Sequence, residues 1–492
     1  MRPTNSGTAA QWHRRAMLAG IALLALTGPL TAQETRDRVR ELEARFAALR
    51  FTPPTPREVR LSNGVRVFLQ EDHTLPLLNV SLVGRHGVVN LPDSLWALGW
   101  QADGLLRTGG TTTLAPDSVD KLIEFYALQI FFQTGYEESS AGASGLARNR
   151  DVMLDLLFDI MRNPRNDTSR IRESVASVGE SWRRRNDSPG SILGRAWGQV
   201  QMGDHPLARS LATPDEAAQF TSAGFRRVQG LLFCPDRFII GVTGDFVERD
   251  IIAALEQRFR GWGRCPAGNR ETPPVTYARG PRIVHIERDV TQSNIRMGHP
   301  AGLRVSNTPE YFASEVADFL LGGGGGFNSR LLQRVRSDSG FAYSVGSNWG
   351  TSTRREGLFS AGAQTRANKT VGAIALIRTV IQSMSSQPVT AEDVRLAQEN
   401  EINSFVFRFE SPSQVVGQQI SYVIDGLPPN WFDLYLRGIQ AVTPDQVTQV
   451  VNRYLKPDQM VIVVVGKAAS FDAPLSSLGM PVTPMTLEQI IR

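Results

Sequence analysis

The chain has 492 residues, too many for one ordinary core, so two or three domains are expected. Its 41% hydrophobic and 21% charged residues make an ordinary globular composition. The formal net charge of +5 includes Arg2, Arg14 and Arg15, and leaves +2 beyond residue 33. With no basic stripe interleaved with aromatics, nothing points to nucleic-acid binding.

Residues 1–33 read as an export signal, with Arg14-Arg15, an apolar run over 17–26, Gly28-Pro29 and a small-residue site near Ala32. The run is too short for a stable membrane anchor, and no cysteine follows it to carry a lipid. A soluble exported protein is expected, periplasmic in a cell with two membranes. The paired arginines leave general and twin-arginine export both open. Residues 34–56 follow as an amphipathic helix over 34–51, with Val39, Leu42, Phe46 and Leu49 at helical spacing, and a Thr52-Pro53-Pro54-Thr55-Pro56 spacer that cannot continue it.

A first domain, 57–267, opens with alternating apolar residues around Asn63-Gly64, a strong hairpin signal. A strand over 78–83 leads to Ala97–Thr113, read as a short helix over 98–106 ended by Gly109-Gly110. Helices are expected over 116–130, 150–162 and 169–185, with strands between 130 and 144. Cys234 precedes a strand over 237–242, and Cys265 follows a helix over 249–259 that returns beside it. That leaves a Cys234–Cys265 disulfide and two buried thiols both open.

An internal repeat fixes the organisation. Residues 220–244 line up without gaps on 442–466, with Thr221/Thr443, Val228/Val450, Pro235/Pro457, Asp236/Asp458, Ile240/Ile462, Val242/Val464 and Gly244/Gly466 identical. Ser188-Pro189 pairs with Ser411-Pro412. Each copy reads helix, Pro-Asp turn, buried strand, glycine, and a repeat of this length means duplicated domains. The fold class is α+β: two homologous domains, 57–267 and 281–475, joined by a polar linker over 268–280 and followed by a tail over 476–492. The second domain carries a strand over 282–286, a helix over 310–320, the loop Gly322, Gly323, Gly324, Gly325 and Gly326, a helix over 331–336 and the segment 340–345. No Gly-x-Gly-x-x-Gly or Gly-Lys-Ser/Thr spacing follows, so the glycines are no nucleotide loop; they read as a flexible connection or a peptide contact.

In order along the chain, Leu61-Ser62-Asn63-Gly64-Val65, Arg107-Thr108-Gly109-Gly110-Thr111, Gly203-Asp204-His205-Pro206, Gly244-Asp245-Phe246 and the stretch 321–345 resemble the pitrilysin/insulinase superfamily of zinc metallopeptidases, especially its bacterial two-domain members. The resemblance implies two halves, each a mostly antiparallel sheet covered by helices, facing each other across a chamber that admits peptides. It implies a His-x-x-Glu-His motif before the Gly-Thr pair, and here those places fall on Trp100, Asp103 and Gly104; the third ligand's place falls on Glu180. None of the six histidines lies between His86 and His205, so no shift of register restores the motif. An indole N–H is a donor only and glycine has no side chain, so no zinc or other cofactor is expected. The substrate-holding pair of the family matches Arg336 and Tyr343, groups that donate to peptide carbonyls without having to lose a proton.

Three readings follow. The first is an exported non-catalytic subunit that binds substrate beside a related chain with an intact zinc motif. The second is a metalloendopeptidase with unusual ligands. The third is a stand-alone peptide-binding or scaffold protein, as a single chain or a homodimer. His205 is expected to serve a turn.

Overall fold

The structure, a computed structural model, describes residues 51–268, 270–324 and 329–490. The export signal, the amphipathic helix apart from Phe51, and Gly325 and Gly326 lie outside the described residues. Residues 53–492 form one compact unit.

Among the described residues twelve strands make two six-stranded sheets. The first holds β1 (Arg57–Arg60), β2 (Arg66–Glu71), β3 (Leu77–Gly84), β4 (Gln129–Thr134), β5 (Ser139–Leu146) and β6 (Phe238–Gly244) in the order β1-β2-β6-β3-β5-β4. The second holds β7 (Arg282–Glu287), β8 (Gln292–Pro300), β9 (Ala342–Asn348), β10 (Leu358–Arg366), β11 (Val461–Gly466) and β12 (Val482–Pro484) in the order β12-β7-β11-β8-β10-β9. Exchanging β2 for β7, β6 for β11, β3 for β8, β5 for β10 and β4 for β9 turns five strands of one order into five of the other; the outer strands β1 and β12 differ, β1 antiparallel and β12 parallel to its neighbour. The sheets are mixed: β2 runs parallel to β6, β11 to β7 and β12 to β7, and the remaining pairings are antiparallel. The sequence repeat is thus the helix Ser222–Leu232 with β6, and the helix Pro444–Tyr454 with β11. Thr221 and Thr443 cap their helices, each side chain accepting from the N–H of the third helical residue, Gly224 or Gln446.

Period-2 patterning gives each sheet one mostly apolar face. On the first, Val67, Leu69, Val80, Leu82, Ile240 and Val242 join the helices Arg150–Arg162, Ser222–Leu232 and Glu248–Phe259 in one core. The opposite faces are covered by exchange. Helix Pro189–Met202, which precedes the linker, packs Ile192, Ala196 and Trp197 on Val284, Ile286, Val463 and Val465 of the second sheet. Helix Pro412–Asp425, from the later half, packs Val416, Ile420 and Ile424 on Phe68 of the first. These are the two Ser-Pro helices of the repeat, each N-capped by its serine, Ser188 or Ser411.

Several expectations change. The helix expected over 98–106 is two, Trp96–Gly99 and Ala102–Thr108: Gln101 N donates to Leu98 O in a tightened turn, and Trp100 swings edge-on to Tyr136, 4.8 Å between ring centres. The helix expected over 116–130 ends at Phe125, because Ala127 takes a left-handed φ of 50° and turns the chain into β4. The segment expected as a helix over 331–336 is a wide-turn helix, Leu332–Asp338. The region set apart as a tail supplies β12 and buries Ile490 against the helix Pro189–Met202. The cysteine alternatives resolve as a Cys234–Cys265 disulfide with Cα atoms 5.3 Å apart. The turn at Asn63-Gly64 forms as expected, Gly64 at φ 88°.

Candidate functional site

The three degenerate motif positions sit on the broken helix beside β4, and the two with side chains are committed elsewhere. Trp100 lies among Trp96 and Tyr136, at 5.6 and 4.8 Å between ring centres. Asp103 accepts from Gly104 N at 2.7 Å with one oxygen and from Thr134 N at 3.0 Å with the other. Burial raises its pKa, against the pull of those N–H groups. Gly104 faces open space. Glu180, on the helix Thr168–Arg183, is half exposed and paired with Arg183 at 2.6 Å. A zinc site of this class needs imidazole nitrogens one turn apart with free lone pairs, and a structural aspartate, an indole and a glycine do not fit it. Among the described residues no group of three or more His, Cys, Asp or Glu side chains is placed to hold a metal.

Asp103 instead ties helix Ala102–Thr108 to the edge strand β4. Asp103→Ala should therefore cost about 2 kcal/mol, through an orphaned Thr134 N–H, and leave any zinc content unchanged. Urea unfolding and elemental analysis of wild type and variant check both statements.

In the second half, helix Pro309–Leu321 stands where the broken helix stands in the first, and Asp318 does a similar job. It accepts from Ser347 Oγ at 2.7 Å and Trp349 N at 2.9 Å, holding the end of β9. Gly322 lies so close to β9 that a Cβ there would meet Ser347 N at 2.9 Å, which restricts this place to glycine. Gly323 and Gly324 follow on the helix end, where a Cβ would strike Asp318 and Phe319. The glycine run thus begins as a close-packed turn over Asp318. Arg336 and Tyr343 come together: the guanidinium stands 5.5 Å from the Tyr343 ring centre, and Tyr343 is 78% exposed on the edge strand β9. Arg336 is exposed as well, so both side chains face solvent along that edge.

The exchanged helices cover only part of each inner face. Over β8, β9 and β10, beside Leu193 of the helix Pro189–Met202, a cavity of about 380 Å³ remains. Over the first sheet a cavity of about 490 Å³ lies beside helix Pro412–Asp425. The two halves are also clamped at the turns: Arg354 pairs with Glu138 at 2.5 Å and Arg355 with Glu137 at 2.6 Å. Sequence reasoning missed this clamp, although Glu137-Glu138 and Arg354-Arg355 are adjacent charge pairs of opposite sign. His86 lies in the same junction, its pKa pushed down to about 4 by burial and by Arg237, Arg85 and Arg354. His205 serves its turn, Nδ1 accepting from Leu207 N at 3.1 Å.

Comparison with known proteins agrees with this geometry. The family model of the peptidase M16 inactive domain matches residues 231–401. The non-peptidase homolog YmxG of Helicobacter pylori is 21% identical over 429 residues, 85% of this chain and 96% of that protein. The uncharacterized zinc protease YmxG of Bacillus subtilis is 24% identical over 304 residues, 61% of this chain and 72% of that protein. The crystal structure of a peptidase M16 inactive domain from Pseudomonas fluorescens superposes with a TM-score of 0.74 at 21% identity, covering 86% of this chain and all of that one.

Proposed function

This chain is a degenerate member of the pitrilysin/insulinase superfamily, its zinc motif lost, and from that premise we propose that it is an exported, substrate-binding subunit that works beside a related chain with an intact His-x-x-Glu-His motif. The observation that carries the proposal is an asymmetry. In the first half the former ligand positions are absorbed into structure, Asp103 by backbone N–H groups and Glu180 by Arg183. In the second half Arg336, on the helix Leu332–Asp338, and Tyr343, on the edge strand β9, stay exposed and side by side. An edge strand offers unpaired N–H and C=O groups to an extended peptide, and the Arg and Tyr add donors for its carbonyls. Export rests on the apolar run behind Arg14-Arg15, and no helix of the described residues is long and apolar enough to cross a membrane.

The test is co-expression with a chain of the same genome that has the intact motif. A one-to-one complex is expected by size exclusion with light scattering, together with cleavage of an unfolded peptide that needs both chains. Arg336→Ala should lower kcat/KM about tenfold without dissolving the complex, the loss of one charge-assisted hydrogen bond. Chains that never associate would rule the subunit role out. A second reading, peptide binding without any partner, is favoured by the cavity over β9 and β10, which this chain forms alone; measurable peptide affinity of the single chain, abolished by Arg336→Ala, distinguishes it.

A further inference from the structure

The strand registers place one row of residues across each inner sheet face. In the first sheet the row reads Phe68, Gly241, Ser81, Gly142, Phe131. In the second it reads Val284, Val463, Arg296, Gly362, Gly346. In the first row the Phe131 ring lies over Gly142, where a Cβ would stand 2.4 Å from it. In the second row the edge position is glycine, so no ring folds over, and two adjacent glycines leave a trough beside Arg296. This trough is part of the cavity of about 380 Å³, whose wall also holds Ser344, Ser347, Asn348 and Ser360.

Arg296 is the one charged residue of this row. Its guanidinium leans toward the Trp197 ring of the exchanged helix, 5.9 Å from the ring centre. Burial alone lowers its pKa, and no carboxylate acts on it. Among the described residues it makes no ion pair. The side chain remains exposed, so a charged ligand can reach it from solvent. Beside it is an open trough lined with hydroxyl and amide groups.

We propose that Arg296 and the Gly346–Gly362 trough form a subsite for a carboxylate of an extended peptide, an acidic side chain or a free C-terminus, so that this half of the protein prefers acidic peptides. The proposal rests on the peptide-binding reading above and deepens it. A planar guanidinium suits a carboxylate through two parallel hydrogen bonds, and the glycine floor lets the peptide side chain descend to it.

The test uses the full chain and fluorescence anisotropy with three fluorescein-labelled hexapeptides of glycine, serine and valine: one with a central glutamate and an amidated end, the same with glutamine, and the glutamine peptide with a free C-terminal carboxylate. At least one carboxylate peptide is expected to bind five to tenfold more tightly than the amidated glutamine peptide, and which one does identifies the source of the carboxylate. In Arg296→Gln that preference should shrink to within twofold, in Arg296→Lys part of it should remain, and added salt should weaken it. Arg336→Ala should weaken all three peptides alike. Equal binding of the three peptides to wild type, or a preference that survives in Arg296→Gln, overturns the subsite while the peptide-binding reading stands. No binding of any peptide overturns that reading and the subsite with it.

Discussion

Ile192→Ala is expected to lower the unfolding free energy of the 53–492 unit by about 3 kcal/mol, the usual cost of removing a fully buried aliphatic side chain. Ile192 is 0% exposed and belongs by sequence to the first half, yet it packs on Val463, Val465 and Ile286 of the second sheet. The mirror variant, Ile420→Ala, removes packing from Phe68 of the first sheet although the residue follows the linker. Each variant should therefore weaken the half it does not belong to. Urea denaturation followed by circular dichroism should show one transition in wild type and in both variants, shifted to lower urea by similar amounts. Two resolved transitions, with only the residue's own half affected, would contradict the exchanged packing.

The second large effect concerns pH. Glu315, on the helix Pro309–Leu321, is buried and its pKa is pushed up to about 8, first by loss of water and then by Glu401 and Asp318; a hydrogen bond from Thr351 and the charge of Arg408 oppose the rise. Tyr311 and Tyr435 face the same group, and Tyr435 donates to Glu401 at 3.1 Å. Glu401 and Asp318 are also raised, mainly by burial. The folded state holds the Glu315 proton where the unfolded chain, near 4.5, has released it. Stability on this account is complete below about pH 4.5, falls as the pH rises toward 8, and is level above that. The fall should amount to a few kcal/mol, since each unit of displacement corresponds to about 1.4 kcal/mol. Glu315→Gln, which keeps the shape and removes the titration, should flatten the slope between pH 5 and 8 and be the more stable protein at pH 8. Urea midpoints at pH 5, 6.5 and 8 decide it; parallel slopes for wild type and variant would exclude Glu315 as the source.

Much of the fold was legible in the chain. Asn63-Gly64 announced a hairpin because glycine accepts the positive φ the turn needs, and the Pro-Asp turns of the repeat announced two copies of one helix-strand unit. The exchange of helices was not legible, for a physical reason. The apolar stripes of Pro189–Met202 and Pro412–Asp425 say that one face is buried, but a stripe does not name the sheet that buries it. The break at Trp100 was hidden because the segment has no proline, and side-chain packing on Tyr136 decides it. At the site, the lost ligands could be read from residue types alone, since no geometry turns a glycine or an indole into a zinc ligand. The pairing of Arg336 with Tyr343 was expected from the resemblance, and the structure brings them into contact. The trough beside Arg296 was invisible, because Gly346 and Gly362 become its neighbours only when the register across the strands is known.

The crossed helices bear on how this molecule can be cut. Severing the chain between Glu271 and Arg279 would break the covalent path, but each piece would still hold a helix lodged on the other's sheet. The nicked protein should stay together like clasped hands, whereas either piece made alone would display a bare apolar sheet face and aggregate. The smallest folding unit here is the pair of halves, so a gene fragment encoding one repeat is the wrong object for structural or binding work.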